Sequence, residues 1–261
     1  MSRPDFTGEA CLAPTDAKGL SAMFAKLYDR LASLTLGLWL IGGVCLFLAV
    51  GSFSGGGAEG SSINDLPLFR WLRETPFVLS WWLWVAIALL ALLALNTVLC
   101  SIESVRMKYR RTGFLILIAP QVMHAGFLLI VLAHLFSAWG GYKQVMPVQE
   151  GGVITCPDGS RVQLANVSAT MGPMGFPTDY SAEVRALAGG REEVWTISPN
   201  HPYFYKGFGF YLKEVAAEPY RAALIEIHRE PGAGCAFAGA LLFTIGNLVL
   251  LYVRRGRADS Q

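Results

Sequence analysis

The chain has 261 residues, of which 53% are hydrophobic and only 15% are charged. Soluble domains carry about 25% charged residues, so this composition excludes an ordinary soluble domain and indicates a membrane protein. The net charge of +2 is too small to favour a nucleic-acid partner, and we expect none.

Four apolar segments each approach the ~20 residues that cross a hydrocarbon core of about 30 Å. They predict an integral membrane α-helical protein with four transmembrane helices and an extracytoplasmic β-rich domain between helices three and four. The predicted divisions are a cytoplasmic N-terminal segment 1–30, helix one 31–53, an outer loop 54–79, helix two 80–102, a basic cytoplasmic loop 103–112, helix three 113–139, the β-rich domain 140–233, helix four 234–253 and a cytoplasmic tail 254–261.

The distribution of basic residues predicts the orientation. Four Lys or Arg precede helix one, two lie in the next loop, four lie in the short connection after helix two, and three follow helix four. Cytoplasmic connections carry the excess of Lys and Arg. We therefore expect both termini in the cytoplasm and the segment 140–233 outside, because long translocated segments escape this rule.

Three local patterns surround the first two helices. The stretch "SAMFAKLYDRLASLTLG" alternates apolar and basic residues at helical spacing and predicts an interfacial lead-in. The stretch "SFSGGGAEGSS" predicts a flexible loop, because glycine and serine give little stiffness. The stretch "SWWLW" contains Trp81, Trp82 and Trp84 and is typical of an interfacial aromatic belt; a patch that faces a bound haem is the alternative.

The segment after helix three predicts β-structure. "GVITCPDGSRVQLANVS" predicts two short strands around a Pro-Asp-Gly turn, and "DYSAEVRALAGGREEVWTIS" predicts a hairpin closed by "AGGREE". "FGFYLKEVA" and "RAALIEIHRE" alternate apolar and polar residues as half-buried strands do. These elements favour a small β-sandwich or β-rich module.

The five cysteines exclude two kinds of chemistry. No CxxC motif occurs, which argues against a thiol–disulfide oxidoreductase, and no CxxCH motif occurs, which argues against covalently attached haem. A disulfide between Cys156 and Cys235 is conceivable, but their spacing does not support it.

His124 is the most informative residue, because it stands in the apolar run "LIAPQVMHAGFLLIVLAHLF". At 1.5 Å per residue it lies roughly 16 Å into the predicted span, near the bilayer midplane. Ionisable residues at that depth are rare and are functional candidates. Three uses stay open: a hydrogen bond to a neighbouring helix, a proton relay, and metal ligation. Pro120 can bend this helix, and Gly126 should leave room beside the ring for a bulky flat ligand.

The other three histidines carry weaker signals. His134 lies about 15 Å beyond His124 on the same helix, where an interfacial polar residue is the simplest interpretation. His201 precedes a proline, so we expect extended or turn geometry and a structural role. His228 lies on a predicted strand, where simple solvent exposure is expected. The sequence shows no Ser-His-Asp arrangement, zinc-ligand spacing or carboxylate pair, so hydrolytic chemistry is unsupported.

Five stretches in order resemble the ResB/CcsB family of the System II cytochrome c biogenesis pathway. They are "LASLTLGLWLIGG", "SWWLWVAIALLALLALNTVLCSIESV" with its Asn-x-x-x-Cys ending (Asn96, Cys100), "HAGFLLIVLAHLFSAWGGYKQVMPVQEG", "SPNHPYFYKGFGFYL" and "HREPGAGCAFAGALLFTIGNLVLLYV". The similarity extends over most of the range 31–253. The segment 140–233 is short for the family, and His134 has no counterpart role there.

The resemblance implies a haem-handling subunit of the bacterial cytoplasmic (inner) membrane. With a CcsA/ResC-type membrane protein, such a subunit carries haem outward and presents it to CxxCH apocytochrome c, with thiol-reducing proteins acting indirectly. His124 corresponds to the histidine of the family's His-x-Gly motif, which ligates a transiently held b-type haem. The chain itself should be a non-catalytic part of a holocytochrome c synthetase complex, although its enzyme status stays open.

Two other functions remain open at this point. The chain could be a structural anchor for a CcsA-type partner, with His124 bonding only a neighbouring helix. It could also be a haem-bearing subunit of a respiratory electron-transfer complex. That function needs facing histidines, whereas His124 and His134 are about 80° apart around one helix and cannot ligate one iron together.

Overall fold

The computed structural model of the chain describes residues 15–54, 66–109, 113–172, 177–187, 193–216 and 220–258. Most of the predicted glycine-rich loop after helix one, and the hairpin loop at 188–192, lie outside these residues. The chain divides into two compact units. The first comprises residues 1–50, 82–124 and 246–261, and the second comprises residues 51–81 and 125–245.

Among the described residues, four helices are long and apolar enough to cross a membrane, which confirms the predicted number of apolar helices. The segment α4 continues past the apolar run because Glu103, Arg106 and Lys108 are good helix formers. The helices are α1 Thr15–Leu31, α2 Leu34–Ser54, α3 Leu68–Glu74, α4 Phe77–Lys108, α5 Phe114–Gly140 and α6 Ala233–Ala258.

In the first unit, helix α4 holds the break between α1 and α2. The buried Asn96 amide donates to the carbonyl oxygens of Leu31, at 2.5 Å, and Ser33, at 3.0 Å. One turn further along, the Cys100 thiol donates to the Ala32 carbonyl at 3.0 Å. A helix break leaves carbonyls without partners. The two side chains donate to three carbonyls at the break, of which that of Ser33 also accepts from the Gly37 amide at 3.2 Å. The Asn-x-x-x-Cys pattern is therefore a structural clamp.

Glycines let α5 and α6 approach backbone to backbone. A Cβ atom on Gly126 would lie 2.6 Å from the Gly239 carbonyl oxygen, and one on Gly239 would lie 2.7 Å from the Gly126 carbonyl oxygen. A Cβ atom on Gly246 would likewise lie 2.9 Å from the backbone nitrogen of Met123. Small residues at such contacts are typical of helix pairs in membranes. The expectation that Gly126 leaves room for a flat ligand is wrong, because the backbone of α6 fills that space.

The residues between α5 and α6 form two antiparallel four-stranded sheets that share one apolar core. The sheet orders are β1-β8-β7-β6 and β2-β3-β4-β5. The strands are β1 Tyr142–Gln149, β2 Val153–Thr155, β3 Arg161–Met171, β4 Pro177–Ala186, β5 Glu193–Ile197, β6 Tyr203–Tyr205, β7 Phe208–Ala216 and β8 Ala222–Arg229. The strands predicted from alternation are confirmed, whereas β1 and β6 were not predicted.

The predicted Pro-Asp-Gly turn joins β2 to β3. Gly159 has φ +80°, a conformation that glycine adopts without strain. Asp158 accepts hydrogen bonds from the Ser160 hydroxyl at 2.6 Å and the Ser160 amide at 3.0 Å, and these bonds lower the pKa of its carboxyl. The neighbouring Cys156 is buried in the shared core. Cys156 and Cys235 are both free thiols, so the conceivable disulfide between them is absent.

The glycine contacts predict that Gly239→Ala destabilises the protein, because its methyl group must displace backbone on α5. We expect a loss of about 1–3 kcal/mol, the usual cost of overpacking, seen as a lower thermal midpoint of the detergent-solubilised protein. The matched control is Gly234→Ala on the same helix, where a Cβ meets no atom within 4 Å. Equal midpoints for the two variants would contradict this account of the packing.

Candidate functional site

His124 contacts helix α4 through a single well-defined hydrogen bond. Its Nδ1 lies 2.7 Å from the Ser101 hydroxyl oxygen, and both side chains are half-buried in the first unit. This hydrogen bond fixes the Nδ1 edge of the His124 ring. The structure places His124 where a helix that crosses a membrane would need a partner for a polar side chain, and Ser101 supplies that partner.

The direction of this bond sets the chemistry of the other ring nitrogen. When Nδ1 carries the proton and donates it to Ser101, Nε2 keeps its lone pair and can ligate a metal. When the hydroxyl donates instead, Nε2 carries the proton and is a donor. Metal-ligating histidines usually have their second nitrogen held in this way, which fixes the tautomer and the ring orientation.

Gln121 lies one turn before His124 on α5, and sequence reasoning missed it. Its Oε1 and Nε2 atoms are both buried, and neither has a hydrogen-bond partner among the described residues. Leaving such a group unpaired costs about 1–3 kcal/mol. A buried amide that can both donate and accept beside an anchored histidine is a candidate for contact with a bound group.

Ser101 was also missed, because a serine at the end of an apolar segment is not distinctive. It belongs to a polar edge of α4 that runs from Asn96 to Glu103. On this edge the Thr97 hydroxyl donates a hydrogen bond to the Leu93 carbonyl of the same helix. Glu103 accepts a hydrogen bond from the Tyr28 hydroxyl at 3.3 Å. The sequence did offer one signal for Ser101: it lies four residues after Thr97, and residues at that spacing share a face of a helix.

The second unit brings His134 and His228 to one cavity of about 540 Å³ at the C-terminal end of α5. The Nε2 of His228 lies 2.8 Å from a Glu230 carboxylate oxygen, and its side chain is 31% exposed. His228, for which simple solvent exposure was expected, is thus partly exposed and also hydrogen-bonded to Glu230. Tyr142 also lines the cavity, and burial raises the pKa of its phenol, which stays neutral.

The remaining predicted features lie elsewhere. His201 lies in a tight turn in which its amide and carbonyl pair with those of Ser198, which agrees with a structural role. Trp81 and Trp84 are exposed and Trp82 is buried, and their assignment to an aromatic belt stays a prediction. No group of three or more His, Cys, Asp or Glu side chains within the described parts of the chain could hold a metal ion by itself.

Comparison with protein families gives one match. Residues 109–221, which lie between the end of α4 and the start of β8 and make up less than half of the chain, match the family model described as the ResB-like family. Over this segment the chain is similar to the ResB-like family. This confirms the resemblance that the sequence predicts, and His124 lies within the matched residues.

Comparison with individual proteins adds little detail. No curated protein matches the sequence. Among solved structures, one described as "Cytochrome c Heme Lyase CcmF" aligns with this chain at a TM-score of 0.45 and 16% sequence identity. The alignment covers 82% of this chain and 39% of that one, so the chain spans well under half of that protein's length.

The geometry predicts that Ser101→Ala changes the state of the His124 ring. Without the hydroxyl, Nδ1 loses its partner, so the ¹⁵N chemical shifts of the ring nitrogens should move in the histidine-labelled protein. Thr97→Val is the matched control, since its hydroxyl bonds only its own helix. Unchanged His124 shifts in Ser101→Ala would show that the two side chains are not bonded.

Proposed function

We propose that this chain is a haem-handling membrane subunit of a System II cytochrome c assembly complex. The confirmed ResB-like segment supports this function, because the family resemblance implies cytochrome c biogenesis. His124 would supply an axial ligand to haem held within the bacterial cytoplasmic membrane. The single observation that supports the proposal is the anchored ring: Ser101 holds Nδ1, and Nε2 would be able to ligate iron when Nδ1 carries the proton.

The residues around His124 fit a haem in two respects. The donor is an imidazole, which is a common ligand of haem iron. Beside it, Gln121 has a buried amide without a hydrogen-bond partner among the described residues, and a carboxylate or a bound water could satisfy it. The room for the macrocycle does not lie beside Gly126, where α6 packs. We infer that a CcsA/ResC-type partner would cover the bound haem and supply its second protein ligand.

The chain's own residues would bind the haem, orient the imidazole ligand and exclude water from the site. Ser101 holds the imidazole in one orientation, and the apolar helices keep water from the ligand, which tunes the potential of a bound iron. The haem itself supplies the vinyl groups that join the cysteines of an apocytochrome c CxxCH motif. No residue of this site is a suitable acid or base for that step, so we assign attachment to the complex rather than to this chain.

A structural anchor for the partner is the second candidate function. The observation that favours it is the Ser101–His124 bond itself, because a hydrogen bond between two helices is a sufficient use for a polar ring in an apolar segment. In that case His124 would hold α4 against α5 and would bind nothing else.

Replacing His124 by alanine distinguishes haem ligation from a purely structural role. The chain is co-expressed with a CcsA/ResC-type partner and a CxxCH reporter, the complex is purified, and its absorption spectrum is recorded with and without His124→Ala. We expect loss of the Soret band and of covalent haem on the reporter, with partial recovery when imidazole is added to the medium. His201→Ala, a turn residue outside the site, is the control and should leave both unchanged.

The opposite result assigns the structural function. A His124→Ala complex that keeps its Soret band and matures the reporter would contradict haem ligation. A lower thermal midpoint in that variant, with normal maturation, would make His124 a helix-packing residue.

A further inference from the structure

Helix α1 carries an exposed apolar stripe, which consists of Met23, Phe24 and Leu27. These side chains are 57%, 57% and 51% exposed. On a helix of 3.6 residues per turn they fall within an arc of about 100°. Removing apolar surface from water is favourable, and an exposed row of large apolar side chains therefore marks a contact surface. The apolar stripe is a candidate for such a surface.

Contacts with α4 set the level of α1 along the apolar helices. The break between α1 and α2 is held beside the apolar part of α4 by Asn96 and Cys100. One turn before the break, the Tyr28 hydroxyl donates to a Glu103 carboxylate oxygen at 3.3 Å. This second contact lies at the charged end of α4, whose last turn is basic. Helix α1 therefore lies at the level at which a membrane crossed by α4 would end.

The Tyr28 contact also fixes the rotation of α1 about its own axis. Around the helix, Tyr28 lies about 90° from the middle of the apolar stripe on one side, and Arg30 lies about 70° from it on the other. Lys26 shares the flank of Arg30, four positions away, and both side chains are exposed. Asp29 lies opposite the stripe. An apolar face edged by cations, with the acidic residue turned away, is the pattern of a helix that lies in a membrane interface.

We propose that α1 lies along the bilayer surface, with the apolar stripe against the acyl chains and with Lys26 and Arg30 at the headgroups of anionic phospholipids. Only two residues separate α1 from the apolar helix α2, so the surface of the bilayer adjoins the stripe. Long basic side chains beside an apolar face place their charged ends in the headgroup region. In the expected orientation this is the cytoplasmic leaflet, where anionic lipids attract basic residues. The inference does not depend on haem binding.

Spin labelling of the full chain in lipid nanodiscs tests where the stripe lies. A nitroxide is attached to a ketone-bearing amino acid introduced at one position at a time, so the native cysteines stay unmodified. Electron paramagnetic resonance then compares the access of oxygen, which concentrates among acyl chains, with that of a water-soluble nickel chelate. We expect oxygen to dominate at positions 24 and 27, and the chelate to dominate at positions 22 and 29.

These four positions are exposed, so a label at any of them should leave the packing of the helices intact. A label at position 38 is the control for the hydrocarbon region, because Leu38 lies on the apolar helix α2 and is 63% exposed.

Lipid composition tests the role assigned to the two cations. When phosphatidylglycerol is added to discs of phosphatidylcholine, the ratio of oxygen access to chelate access at position 24 should rise. The double change Lys26→Gln and Arg30→Gln should abolish that rise. The matched control is Arg73→Gln with Arg161→Gln, which removes the same charge from exposed positions outside α1 and should keep the rise.

Three results would overturn the proposal. Labels at positions 24 and 27 that are reached mainly by the chelate would place the stripe in water. Labels shielded from both reagents would show that protein covers the stripe, as in contact with a second copy of this chain. A ratio at position 24 that is the same in both lipid mixtures would contradict the pairing of Lys26 and Arg30 with anionic headgroups.

Discussion

The polar edge of helix α4 is the constraint on which the first unit depends. Polar side chains within an apolar helix are costly unless they find partners in the protein, and the side chains of this edge find several. Asn96 and Cys100 close the break between α1 and α2. Ser101 then fixes the ring of His124 on α5. The proposed ligand is therefore oriented by the same helix that organises the packing of its neighbours.

Close packing of α5 against α6 limits where a large ligand can lie. The backbones meet at Gly126 and Gly239, so one side of α5 is fully occupied. On the same helix the buried amide of Gln121 has no hydrogen-bond partner among the described residues, and His124 is bonded to Ser101. The proposed haem site would need a second chain to complete it, because one imidazole would supply only one of the two protein ligands.

The sequence predicted the features that depend on local pattern and missed those that depend on contacts. Length and hydropathy were enough to predict the four apolar helices. The alternation of apolar and polar residues was enough to predict β7 and β8. Strand β1 was not predicted, because Pro147 and its polar neighbours obscure the alternation. His124 was conspicuous from its cost in an apolar run, but Ser101 lies 23 positions away on another helix. Gly126 was misinterpreted, since a sequence does not show what occupies the space beside a glycine.

The most direct test of the central claim replaces the proposed ligand by one with a different spectrum. His124→Cys would offer a thiolate to the iron, and thiolate-ligated and histidine-ligated haems are distinct electronically. Electron paramagnetic resonance of the ferric partner complex should show a histidine-ligated signal in the unmodified protein and a thiolate-ligated signal in the variant. Identical spectra from the two complexes would contradict ligation by His124.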